Sequence, residues 1–351
     1  MKEWKPTRRQ FLTACALGTA PLLLGKYYEW GETLPPEYPL NNPPRPAAKP
    51  LTPLFLMAAP HENQYPIRGP DNADISSHFQ SVHLFFNAFE MDDPVSREKV
   101  KKIGEAGQMP FISLTPPWNP ADRVFRFKRD IPSYLAALTP FLQFLHTLPF
   151  DHAVSVFFEA NLQNSLIYDS AFNTPEDFVW GFQQTSEHIQ TVSPKTNIVW
   201  RLNAGYPIAP YFPDVEYFDI AGLDVYNKYR SFPHPAYFHK NESFYNAVGS
   251  DVRTIQELTD KKIIIVETNS ARGGNFRTEW FRRAIELASS WKNIIGLGGF
   301  FWNKGDPVFD LDPNETNWDV TNDSTTWKNF SSMLDTYPNL RQNYQITDDR
   351  R

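Results

Sequence analysis

Between residues 54 and 334 short apolar runs alternate with segments of helical spacing. The apolar runs occupy residues 54–59, 82–89, 110–114, 153–158, 197–202, 217–226, 262–268 and 295–302. Each is short, rich in β-branched or aromatic residues, and bounded by polar or Gly/Pro positions, so each reads as a strand. The clearest is Ile263-Ile264-Ile265-Val266, a run apolar on both faces that ends in Glu267. A strand of that kind is buried on both sides, as in parallel sheets.

The intervening segments with apolar positions three and four apart predict helices over residues 96–106, 131–148, 175–192, 251–258, 278–291 and 325–334. Gly107 stands where a helix stop belongs. Thr174-Pro175-Glu176-Asp177 opens a helix with a capping Thr, Pro at the first position and acids in the first turn. Pro207, Pro210 and Pro213 leave the connection after the fifth strand mostly loop. The stretch from Asn227 to Gly249 reads as a long loop over the C-terminal face.

Eight strands alternating with helices fit a single α/β domain of the (β/α)8 barrel type, over residues 53–340. The competing architecture is a doubly wound open sheet. It would carry a Gly-rich phosphate loop after the first strand, where Ala58-Ala59-Pro60-His61 stands instead. No internal repeat is visible.

Composition narrows the function classes. The 351-residue chain is 41% hydrophobic and carries a net charge of -6, which gives no basic surface for a nucleic acid. Aromatics reach 15%, with 10 Trp, enough for a heavy core or for platforms that stack on sugar rings.

The N-terminus is read apart from the fold. Arg8-Arg9-Gln10-Phe11-Leu12 opens an apolar run to Gly25, too short for a comfortable membrane span. The segment resembles a twin-arginine export signal, taken as residues 1–30, and implies a periplasmic or secreted protein. No clean cleavage site follows, so membrane anchoring by an uncleaved signal stays open. Residues 31–52 form a linker: residues 34–53 hold eight prolines. Residues 341–351 read as a polar tail. Cys15 is the only cysteine, so a processed chain has no disulfide and depends on packing.

In a parallel barrel the active site lies at the C-terminal strand ends. Strands four and seven end in Glu159 and Glu267. Two carboxylates across a barrel mouth are what glycoside hydrolysis requires, one protonated to donate and one ionised to attack or to activate water. Asn203 ends strand five within reach of a sugar hydroxyl, and Trp118 follows strand three. On strand five, Trp200 faces the helices, and Arg201 points the other way, into the barrel, where it needs an acidic partner.

Several motifs then carry a family resemblance. Tyr206-Pro207, the segment Tyr217-Phe218-Asp219-Ile220-Ala221-Gly222-Leu223-Asp224-Val225-Tyr226-Asn227, Phe158-Glu159-Ala160-Asn161, Ile264-Ile265-Val266-Glu267 and Phe301-Trp302-Asn303 together resemble glycoside hydrolase family 26, the family of β-mannanases. The resemblance implies a retaining, endo-acting hydrolase of β-linked polysaccharide. It implies Glu159 as acid/base, Glu267 as nucleophile, Tyr226 hydrogen-bonded to Glu267, Trp302 as floor of the cleaved subsite and Asn161 as a substrate contact. Three departures surround strand four. Phe158 replaces the family's His, Leu162 its Gly, and residues 163–168 its Trp-rich segment. They motivate an alternative: a non-catalytic saccharide-binding or exopolysaccharide-assembly protein on the same barrel.

No cofactor is expected. His61 with Glu62, and Asp92 with Asp93, lack metal-ligand spacing, and Asp310, Asp312, Asn314 and Glu315 do not fit a calcium loop. His78, His83, His146, His152 and His188 are read as structural.

Overall fold

The computed structural model describes residues 54–60, 65–68, 73–87, 90–116, 124–158, 160–161, 173–227, 244–270, 275–291, 293–301, 324–337 and 340. Eight parallel strands close into a barrel in chain order. They are β1 Phe55–Pro60, β2 Ser81–Asn87, β3 Met109–Thr115, β4 Ala153–Val156, β5 Asn197–Asn203, β6 Ile220–Asn227, β7 Lys262–Ser270 and β8 Ile294–Phe301. Closure is by β1 against β8, with Phe55 opposite Gly296 and Pro60 opposite Phe301. Among the described residues the α-helices are α1 Pro94–Glu105, α2 Phe127–His146, α3 Pro175–Val192, α4 Phe244–Leu258 and α5 Asn275–Ala288, each between two strands, and α6 Ser324–Asp335, which follows β8. The predicted (β/α)8 barrel is the observed one.

The elements form for the expected local reasons. Thr174 caps α3 by accepting from the Asp177 amide, and Asp177 accepts in return from the Thr174 amide. Asp93 caps α1 by accepting from the Val95 and Ser96 amides. Between β5 and β6 the proline-rich stretch yields two short 3-10 turns, Ala209–Tyr211 and Val215–Tyr217. Two helix starts differ most from the sequence reading. Helix α2 begins at Phe127, because Asn173 accepts the Phe127 amide and anchors an earlier first turn. Helix α4 begins at Phe244, seven residues before Asp251, where the apolar spacing starts to be regular.

The core has two layers. Phe55, Met57, Phe111, Ala153, Val199, Ile220, Ile264, Val266 and Ile295 fill the barrel. The other strand faces pack outward against the helices. Trp200 lies in that outer layer, between Phe212 and Phe218, and its indole N–H donates to the Tyr211 carbonyl at 3.0 Å. Among the described residues no helix is long and apolar enough to cross a membrane.

Candidate active site

Inward-facing positions of β5 and β6 alternate regularly: Val199, Arg201 and Asn203 on one, Ile220, Gly222, Asp224 and Tyr226 on the other. Strand β7 does not alternate to its end. Leu223 pairs with Ile265, yet the next residue, Asp224, pairs with Glu267. On the other side Ile265 pairs with Leu297 and Thr268 with Gly299, so Val266 and Glu267 together oppose Gly298. This is a β-bulge, which turns two successive side chains to one face. Ile265 packs outward, Val266 fills the barrel, Glu267 also enters it, and Thr268 faces the helices, accepting from the Trp280 indole at 2.9 Å. In a regular strand of the same sequence, without the bulge, Glu267 would share the outward parity of Ile263 and Ile265.

Two glycines make room for the bulge. A Cβ on Gly298 would lie 1.9 Å from the Val266 carbonyl oxygen. A Cβ on Gly222, on the opposite neighbour, would lie 2.8 Å from a Val266 methyl. Both are contacts that a real side chain does not make, so the bulge depends on glycine on each flank.

Inside the barrel Glu267 is 5% exposed and doubly held. Arg201 donates from Nη2 to Oε1, and the Tyr226 hydroxyl donates to Oε2. Arg201 is itself buried and bridges two carboxylates: its Nε lies 2.8 and 2.7 Å from the two oxygens of Asp224. Its Nη1 donates to Ser113 at 2.7 Å. Burial disfavours the guanidinium charge, but Asp224 and Glu267 outweigh it and hold the Arg201 pKa above its ordinary value. The cluster therefore keeps a permanent cation against Glu267, which favours the ionised carboxylate. His83 completes the floor, with Nε2 2.7 Å from Ser113 Oγ.

The apolar rim comes from two half-buried rings. Phe158 lies over the Arg201 guanidinium at 4.9 Å and meets Phe85 edge-on at 6.0 Å. Phe158 reaches inward because Phe157, before it, adopts a left-handed backbone with φ 54. Such a conformation costs a non-glycine residue about 1–3 kcal/mol. Packing of Phe157 among Phe125, Phe127 and Tyr134, at 5.0–5.7 Å, holds it there. Strand β4 thus ends at Val156, two residues before the predicted end.

The sequence-predicted site residues separate into three groups. Glu267 and Tyr226 meet at the mouth. Asn161 and Asn203 meet each other: the Asn161 carboxamide accepts from the Asn203 amide at 2.9 Å and donates to its carbonyl at 2.9 Å. Asn161 thereby ties the segment after β4 to the end of β5, and its side chain is buried. Asn203, 6% exposed, keeps a side-chain NH2 without a hydrogen-bond partner among the described residues. Glu159, Trp118 and Trp302 lie outside the described residues, as do the two His-Glu and Asp/Asn loop candidates at 61–62 and 310–315.

Sequence reasoning did not assign Asp224, Ser113 or His83 to the site. Inward parity was the available signal for all three, since each is a polar residue alternating with buried apolar ones. Histidine was read as unclustered, and His83 instead stands in the site floor.

No protein-family model matches the chain, and comparison with curated protein sequences finds no significant match. Solved structures do match. A family 26 β-mannanase from Bacteroides ovatus is similar over 85% of this chain and 93% of its own, at 11% identity and a TM-score of 0.61. A family 26 protein, GH26C, from a Muricauda species is similar over 84% and 90%, at 12% identity and 0.57. An exo-β-1,4-mannosidase from an Opitutaceae bacterium is similar over 82% and 60%, at 15% identity and 0.55. At such identities the likeness is one of fold alone, the (β/α)8 barrel that these proteins share with the chain.

Proposed function

We propose that the chain is a retaining, endo-acting β-glycoside hydrolase of a polysaccharide, with Glu267 as nucleophile and Glu159 as acid/base. The observation that carries this reading is the bulge that turns Glu267 into the barrel mouth, between Arg201 and Tyr226. A solvated strand end would need neither the bulge nor a buried cation. The same fold in β-mannanases and a mannosidase points to a β-linked, mannan-type polymer as the first substrate to try.

In this mechanism Glu159 protonates the leaving oxygen while Glu267 attacks the anomeric carbon. Glu159, now ionised, takes a proton from the water that releases the sugar, and configuration is retained. Arg201 and Tyr226 keep the attacking carboxylate ionised and aimed. The Asn203 side-chain NH2, without a hydrogen-bond partner among the described residues, offers a donor to a substrate hydroxyl.

The decisive measurement is reducing-sugar release from mannan, mixed-linkage glucan and xylan. Glu267→Gln and Glu159→Gln are each expected to abolish release from the polymer that the native chain cleaves. Native-level activity in either variant overturns the assignment. Saccharide binding without turnover by the native chain, unaffected by Glu267→Gln, establishes the non-catalytic alternative instead.

Export belongs to the same proposal. Residues 1–30 would direct the chain across a membrane by the twin-arginine route, leaving it periplasmic, secreted or anchored. Replacing Arg8 and Arg9 together with Lys is expected to hold the protein in the cytoplasm, which fractionation reads directly.

A further inference from the structure

His83 is fully buried beside Glu267, and one of its ring nitrogens has no hydrogen-bond partner among the described residues. The other, Nε2, lies 2.7 Å from Ser113 Oγ and 3.5 Å from Arg201 Nη1. Arg201 Nη1 also donates to Ser113 Oγ, at 2.7 Å. A guanidinium can only donate. Ser113 therefore accepts from Arg201, and its own hydroxyl hydrogen is free to point at Nε2. With two donors converging on it, Nε2 is the acceptor, and the ring hydrogen belongs on Nδ1. Nδ1 has no hydrogen-bond partner among the described residues and lies 3.8 Å from Glu267 Oε1. Burial first, and Arg201 second, hold the His83 pKa well below its ordinary value, so the ring is neutral.

A loop of donors thus starts and ends at Glu267. Arg201 donates to Oε1 and to Ser113, Ser113 donates to His83, and His83 Nδ1–H faces Oε1 again. Only the last link is open, by about 1 Å beyond hydrogen-bond length. The terminal torsion of a Glu side chain is soft, so a small carboxylate rotation spans that gap. Tyr226 donates to Oε2 at rest, and turning that oxygen's second lone pair toward the anomeric carbon is a rotation of this kind.

We propose that His83 is a positioning residue for the nucleophile: its Nδ1–H closes onto Oε1 as the carboxylate turns Oε2 toward the anomeric carbon. This deepens the hydrolase reading and rests on it. In the first step the Oε2–carbon bond forms as the bond to the leaving oxygen breaks, and Glu159 supplies the proton to that oxygen. In the second step water attacks the carbon and gives its proton to Glu159. The Oε2–carbon bond then breaks, and its electron pair returns to the carboxylate. His83 exchanges no proton. It stabilises the charge that returns to the carboxylate, together with Arg201.

Two measurements on the full chain test this. In protein labelled with nitrogen-15 histidine, the His83 resonances are expected to show a neutral ring protonated on Nδ1 from pH 5 to 8. Glu267→Gln is expected to shift the Nδ1 resonance. A ring protonated on Nε2, a titration near pH 6.5, or an Nδ1 signal indifferent to Glu267→Gln overturns the proposal without reference to any substrate. The kinetic arm uses His83→Leu, with His83→Asn as the variant that restores a donor. His83→Leu is expected to lower kcat by about 10- to 100-fold with KM little changed, and to move the acidic limb of kcat/KM to higher pH. His83→Asn recovers part of both. Unchanged kcat and acidic limb in a folded His83→Leu variant overturn the proposal. If the native chain cleaves no glycan, the hydrolase reading fails, and the role in catalysis with it. The resonance arm still decides whether the Nδ1–H donor faces Glu267.

Discussion

Arg201 is the residue on which the buried charges of the barrel converge. It faces Asp224, Glu267 and Ser113 at once, and none of the three ionised residues is more than 5% exposed. Replacing it with Met removes one charge and strands two. Loss of one partner from a buried ionic group costs about 3–5 kcal/mol. Chemical denaturation of Arg201→Met is expected to show a loss of that order, and a loss below about 1 kcal/mol would mean that solvent already screens the cluster. Tyr226→Phe is milder, because Arg201 still holds Glu267. Its expected signature is a folded protein with kcat lower by about 10- to 100-fold, read from initial rates on the cleaved polymer. At this scale the sequence was partly legible. Arg201 could be assigned to the interior by alternation with Trp200, and its need for an acidic partner followed from burial. Which acid it would find was not legible, because Asp224 and Glu267 lie on two other strands whose registers are set only by closure of the barrel.

At the scale of the element, β7 explains both a success and a gap. Its four successive β-branched residues identify a strand buried on both faces. The same uniformity hides which residues point in, because no polar position marks the outer face. The bulge was therefore invisible in the run that contains it. Its traces lie on the neighbouring strands, in Gly222 and Gly298. Gly298→Ala is expected to push Val266 away and displace Glu267 from Arg201. Overpacking of this kind costs about 1–3 kcal/mol, and the activity loss should exceed the loss that stability alone explains. A Gly298→Ala enzyme with native kcat would separate the bulge from the chemistry. Strand β4 has a comparable break at Phe157, whose left-handed backbone no hydrophobic pattern could announce.

For the whole molecule, the barrel was readable from the order of its elements, since each local pattern agreed with the same closed topology. The long connections were not, and the segment after β4, where the sequence departs from the pattern it resembles, belongs to them. A global consequence follows from buried histidines. Burial, as the leading cause, lowers the pKa values of His83 and His152 below 6.5. Above pH 6.5 the folded and unfolded chains both carry these rings neutral. Below it the unfolded chain takes up protons that the folded chain refuses, so stability falls as pH falls. Each such histidine contributes a slope of up to about 1.4 kcal/mol per pH unit until its folded pKa is reached. Asp74 and Asp177, held below their ordinary values by hydrogen bonds, add their loss only at more acidic pH. Urea midpoints at pH 8, 6.5 and 5 are expected to be level over the first interval and to drop over the second. Equal midpoints at pH 6.5 and 5 would contradict the neutral burial of both rings.

The bulge in β7 also fixes how this chain can change length. Deleting Val266 leaves Ile265, Glu267 and Thr268 in strict alternation, outward, inward, outward, so the barrel can close on a straighter ladder with the carboxylate still on its inner face. The doubled position is therefore a spare place in the count of β7: the strand can lose one residue there and keep its carboxylate, whereas the full-length strand keeps it inside only by bulging.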